Sequence, residues 1–220
     1  MSIAVYTSIV GGKDNIIDVR KHFKGCDLYC YTDSKIEDSK GWTIRPLDSR
    51  SKKYSDRINS RFYKCNPHLL KELKEYDYTI WIDGNLNINK SIKTIFNGFK
   101  KGFKIACRPH FARNCIYQEA VAVKNFHLED PYRVDALVNY LRNAGYPSGN
   151  GLHEAGFLIR KNCSEVNDFN NVWFYLLLLF TQRDQLLFDY VLWREQLTCE
   201  TIDRGFVDSE AHAVATTRFS

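Results

Sequence analysis

The sequence predicts one α/β domain built on a mostly parallel sheet. Short apolar runs rich in β-branched and aromatic residues recur from the first residues onward, and segments with helical spacing separate them. Strands that alternate with helices imply parallel neighbours joined by crossovers. A chain of 220 residues with 44% hydrophobic content suffices for one sizeable core. No repeat, low-complexity tract or linker interrupts it, so residues 1–220 read as one domain.

Ser2 to Val10 is the opening strand, closed by Gly11 and Gly12. Asp14 to Lys24 reads as a helix or a polar turn. Asp27 to Asp33 is a second strand ending on an acid, and Trp42 to Leu47 a short third. Ser55 to Tyr76 has a helical pattern that Pro67 breaks or restarts. Tyr78 to Ile82 is the most strand-like run of all. Ser91 to Phe99 is a short helix and Phe103 to Arg108 a strand. Asn114 to Lys124 and Asp130 to Ala144 are helical, the second with Pro131 in a first turn, where proline is tolerated. Gly145 to Gly151 is loop and Gly156 to Arg160 a strand. Asp168 to Phe180 and Asp184 to Leu197 are helices, and Thr201 to Asp203 a last short strand. The apolar run Val172 to Phe180 is too short to span a bilayer and reads as a core helix.

Charge and cysteine usage exclude some functions. With 31 basic and 26 acidic residues, the net charge of +5 suits an anionic small molecule better than a nucleic acid. The 7 cysteines form no CxxC pair and no His-containing cluster, which argues against zinc. Scattered thiols point to a reducing compartment such as the cytosol, and Met1 runs straight into a strand with no signal-peptide pattern.

The chemistry centres on Asp83-Gly84-Asn85, directly after the buried run. A carboxylate and an amide oxygen one residue apart at a strand's C-terminal end can face a hard cation together, and open α/β sheets bind ligands at that edge. Mg2+ or Mn2+ held by few protein oxygens, with water and substrate phosphates completing the shell, is the matching arrangement. The same dipeptides also make ordinary turns. Arg57, Arg61, Lys64 and His68 follow spacings of four, three and four, which puts them on one helix face. That face suits a diphosphate, and equally a solvated surface. Tyr6 and Thr7 at the first strand end, with Gly11 and Gly12 to let the backbone come close, are candidates to approach a nucleotide, and the glycines equally suit a plain tight turn. Asp33 can accept from a base or ribose, or cap the next segment. Arg113 and Glu119, in a polar stretch after a strand, are candidates to touch substrate hydroxyls. His153 and Glu154 are adjacent and face opposite sides of a strand. Arg183, Asp184 and Gln185 open a helix, where they suit a sugar or acceptor hydroxyl, or simple capping. His212 can offer the metal an imidazole if the tail folds back.

The segments YTSIVGG, YCYTD, KCNPHLL, YTIWIDGNLNI, RPHFARNCIYQEA, GLHEAGFLIRKN and RDQLLFDYV occur in this order, from Tyr6 to about Val191. Together they resemble a glycosyltransferase-like family, long labelled a domain of unknown function, of plants, bacteria and viruses. The resemblance implies a GT-A-type, Rossmann-like fold. It also implies a hexosyl or deoxyhexosyl transfer from a nucleotide-diphosphate sugar, uridine diphosphate by analogy, to an acceptor hydroxyl of a glycan or glycoprotein. Asp83 and Asn85 match the metal-holding Asp-x-Asp, with Asn85 a departure that removes one charge. Arg183, Asp184 and Gln185 fall on the sugar or acceptor side, with Asp184 and then Glu154 as bases. His212 corresponds only loosely to a tail histidine. The short form resembles a bacterial or viral version, with room for the chain to be the first domain of a longer polypeptide. Three other readings compete: a metal-dependent hydrolase, a nucleic-acid binder using Lys52 to Lys64, and an inactive nucleotide-sugar-binding domain.

Overall fold

A computed structural model of the chain describes residues 1–84 and 86–209. Seven strands form one sheet in the order β3-β2-β1-β4-β7-β6-β8. They are β1 (Ile3–Ile9), β2 (Asp27–Thr32), β3 (Thr43–Pro46), β4 (Tyr78–Ile82), β6 (Ile105–Pro109), β7 (His153–Lys161) and β8 (Cys199–Thr201). Every neighbouring pair is parallel except the two that β7 makes, so β7 alone runs against the rest. The mostly parallel expectation holds.

The helices are α1 (Asp56–Cys65), α2 (Ile92–Asn97), α3 (Ile116–Asn125), α4 (Pro131–Asn143), α5 (Ser164–Phe180) and α6 (Gln185–Arg194). Alternation along the strands assigns residues to two cores. Ala4, Tyr6 and Trp81 join the core covered by α1 and α3 to α6. Ile3, Val5, Ile80 and Ile82 join the other, covered by α2 and by the loop carrying Ile16, Val19 and Phe23.

That loop is the Asp14 to Lys24 segment, and it forms turns. Its carbonyls are taken by side chains from elsewhere: Trp42 Nε1 donates to Ile17 O at 2.8 Å, and Lys40 Nζ donates to Ile16 O at 2.8 Å. The helical pattern expected to reach Tyr76 stops at Cys65. Asn66 caps it, donating through its backbone N and its Nδ2 to Phe62 O, and Pro67 opens a separate 3-10 turn, Pro67–Leu69. The apolar run on α5 lies only half in the core, because Tyr175, Leu178 and Leu179 face outward. A two-stranded antiparallel ribbon of β5 (Leu86–Ile88) and β9 (Val207–Ser209) was not foreseen.

β7 positions the site. It pairs with β4 in continuous register from Tyr78↔Lys161 to Ile82↔Phe157. Against β6 the register slips: Cys107 faces Leu158, but Arg108 faces Glu154. Residues 155–157 therefore leave β6 and cross the end of β4.

Candidate active site

β4 is wholly buried and delivers Asp83 to the sheet edge. Its backbone N donates to Gly156 O at 2.8 Å. Trp81, two residues back on the same face, donates Nε1–H to Asp83 Oδ1 at 2.6 Å. Asp83 Oδ2 accepts no hydrogen bond among the described residues, and the side chain is 30% exposed. Gly156 leaves room for that oxygen, since a Cβ there would come within 3.0 Å of it.

α1 supplies the cations. Lys64 is 2% exposed; its Nζ lies 2.6 Å from Asp184 Oδ2 and 3.5 Å from Asp83 Oδ1. Arg61 Nε lies 3.0 Å from Asp184 Oδ1 as an ion pair, its N–H not aimed at the oxygen. Burial works against the charge on Asp184, but Arg61 and Lys64 outweigh it and hold the carboxyl well below the usual range. The last turn of α1 is anchored from beneath as well. Lys64 O accepts from Arg160 Nη2 at 2.6 Å and from Tyr6 OH at 3.2 Å, and Arg160 also donates to Tyr6 OH.

One turn further out, Arg57 is half-buried and makes no ion pair among the described residues. Burial, then the neighbouring charges of Arg183 and Arg61, push its guanidinium below its ordinary value. Arg183 likewise has no carboxylate partner there. Arg57 and Arg61 line a cleft of about 300 Å³ with Ser8, Val10, Lys13, Asp14, Asp56 and Ser60. Gly11 shapes its rim: it has φ +66, and a Cβ would fall 2.5 Å from Asp56 Oδ2.

The structure thus brings Asp83, Arg57, Arg61, Lys64, Arg183 and Asp184 to one edge, with Gln185 half-buried behind Asp184. Other candidates have different surroundings. Tyr6 is fully buried, so its ring is a core group and not a nucleotide contact. Thr7 is buried beside Asp83 and Gly84, its Oγ1 without a partner. Asp33 accepts the Gly11 N–H at 3.1 Å and stays exposed at the rim. His68 turns away toward α5, with Nε2 2.9 Å from Asn171 Oδ1. Arg113 is held by Glu119, Nε to Oε2 at 2.6 Å, on the turn before α3.

The two expected bases are engaged. Asp184 lies between Arg61 and Lys64, and a carboxylate held that low is a weak base. Glu154 Oε2 accepts from Arg108 at 2.9 Å, while its Oε1 accepts from Arg204 at 3.0 Å and from the Phe111 N–H at 3.2 Å. His153 pairs with Asp189, a residue sequence reasoning missed. Trp81 was missed too, although its position two before Asp83 put both on one face.

Asn85 and His212 lie outside the described residues. Among those described, no three His, Cys, Asp or Glu side chains gather as a metal shell. Oδ2 of Asp83, which accepts no hydrogen bond among the described residues on a part-exposed side chain, is a hard donor, which fits a magnesium or manganese ion that takes most of its ligands from water and phosphate.

Solved structures share this fold. Mouse xyloside xylosyltransferase 1 in its apo form superposes with a TM-score of 0.51 over 92% of this chain and 84% of its own, at 10% identity. The WbbM bifunctional glycosyltransferase, also apo, gives 0.56 over 91% of this chain and 38% of its own, at 11% identity. In sequence, the chain is 26% identical over 186 residues to the Arabidopsis thaliana protein named "Probable hexosyltransferase MUCI70", a match that spans 76% of this chain and 32% of that protein's length. The TOD1/MUCI70, glycosyltransferase-like domain matches residues 42–218, which take in Arg57, Arg61, Lys64, Asp83, Arg183 and Asp184, and the chain belongs to that family.

Proposed function

We propose that the chain transfers a sugar, a hexose first, from a nucleotide-diphosphate donor, uridine diphosphate by preference, to an acceptor hydroxyl of a glycan or glycoprotein. The observation that carries this reading is the pair of half-buried guanidiniums, Arg57 and Arg183, which make no ion pair among the described residues and stand next to Arg61, whose other neighbours are Asp184 and Asp83. Arg57 and Arg61 line the cleft where a diphosphate fits, and guanidinium forks are suited to phosphate oxygens. Positive charge fixed there stabilises the leaving diphosphate as negative charge develops on it. Asp83 would hold manganese or magnesium, with Asn85 and His212 as further proposed ligands; when bound, the ion neutralises diphosphate charge. Lys64 and Arg61 fix Asp184 beside the cleft-lining Arg61, and in this reading Asp184 and Gln185 orient sugar hydroxyls. The curated relative's printed name supports the hexose, and the free cysteines support a reducing compartment such as the cytosol.

The rivals are less well supported. A hydrolase would draw its acid from beside Asp83, and the two carboxylates first considered for proton transfer, Asp184 and Glu154, are ion-paired. The basic face of α1 turns inward at Lys64, unlike a surface that grips nucleic acid.

The test is a thermal-shift titration with nucleoside diphosphates, with and without manganese. A manganese-dependent rise with one nucleotide, lost in Asp83→Ala, is the expected result. A melting temperature unmoved by every nucleotide overturns the reading.

A further inference from the structure

Transfer to a hydroxyl by direct displacement needs a group to take its proton, and the two carboxylates first suggested for that part are spent in ion pairs. His153 is differently placed. Its ring meets Phe188 edge-on, with centroids 5.8 Å apart. Its Nδ1 lies 2.5 Å from Asp189 Oδ1, and its own backbone N–H donates to Asp189 Oδ2 at 2.8 Å. Asp189 is 4% exposed, so one buried carboxylate grips both the backbone and the ring. A carboxylate only accepts, which assigns a proton to Nδ1, and in the neutral ring the lone pair then sits on Nε2. Nε2 has no partner among the described residues, and the side chain is 17% exposed.

Two contacts place the ring in the fold. His153 lies three residues along β7 from Gly156, which touches Asp83, a separation of at most about 10 Å on an extended strand. Phe188, under the ring, lies one helical turn past Asp184. The imidazole thus stands at the same edge of the sheet as Asp83 and Asp184.

We propose that His153 is the proton acceptor of the transfer and Asp189 its positioning residue; this rests on the donor-site reading above. The hydroxyl oxygen forms a bond to the anomeric carbon. The bond from that carbon to the diphosphate oxygen breaks, its electron pair leaving with the diphosphate. The hydroxyl proton moves to His153 Nε2, and Asp189 balances the imidazolium charge. Attack opposite the leaving group inverts the anomeric configuration.

The experiment uses the full chain with manganese and a panel of nucleotide sugars, with water as the acceptor. Donor binding is followed by thermal shift, sugar release by nucleotide assay, and the configuration of the first-formed sugar by proton NMR. The expected result is unchanged donor binding in His153→Ala, His153→Gln and Asp189→Asn, with release slowed by about 10²–10⁴-fold in the alanine variant. Imidazole in the buffer restores part of the rate to His153→Ala and none to Asp83→Ala, and the product is inverted. The glutamine variant, closer to the native shape, serves if the alanine variant does not fold. Retained configuration overturns the proposal. So does release by His153→Gln within a few-fold of wild type, or a wild type that binds donor and releases no sugar; all three leave the donor site standing. A wild type that binds no donor overturns the donor-site reading itself, and this proposal with it.

Discussion

Lys64 holds two carboxylates on one ammonium, almost out of reach of water. Removing one partner of a buried charge cluster leaves the others uncompensated, at a cost of about 3–5 kcal/mol. Lys64→Met should lower stability by about that much in urea denaturation. Asp184 has a pH signature. Its carboxyl is depressed in the folded state, so the stability it contributes is complete above the ordinary aspartate value and is lost as pH falls through the folded value. The gap in urea midpoint between wild type and Asp184→Asn should therefore narrow as pH drops below about 4. Asp83 was legible in the sequence because an acid that ends an apolar run stands out. The engagement of Glu154 was not, because Arg204, one of its partners, lies far along the chain and only the fold unites them.

Among the elements, β4 and β1 were plain from their β-branched runs, and α4 from Asp130 and Pro131, where Asp130 Oδ1 accepts the Tyr132 N–H at 2.8 Å. The Asp14 to Lys24 loop was ambiguous because its order comes from Trp42 and Lys40, outside the segment. The reversed direction of β7 and its slip against β6 have no local sequence signal; they follow from which neighbours it meets. The slip has a testable consequence. Gly156→Ala would press a methyl against Asp83 Oδ2, and Trp81 already fixes the other oxygen. The variant should bind manganese and nucleotide about tenfold more weakly in titration calorimetry, about 1.4 kcal/mol, while its melting temperature stays close to wild type.

At the scale of the whole molecule, the sheet separates two cores, and the charged edge belongs to the one under α1 and α6. A nucleotide at a hundredfold excess over its dissociation constant adds about 2.7 kcal/mol. For a chain of this length that corresponds to a rise of about 5–10 °C in a thermal scan. No helix among the described residues is long and apolar enough to cross a membrane. The anchoring of α1 extends to mechanics. Its last turn is held by polar bonds above, to Asp83 and Asp184, and below, to Tyr6 and Arg160, whereas its first turn packs Ile58 into the core and pairs Asp56 with Lys13 at the surface. One lysine thus ties the end of a helix to β1 and β7 through its carbonyl and to Asp83 and α6 through its ammonium, so the same residue that supplies charge to the site is the rivet that fastens the helix to the sheet.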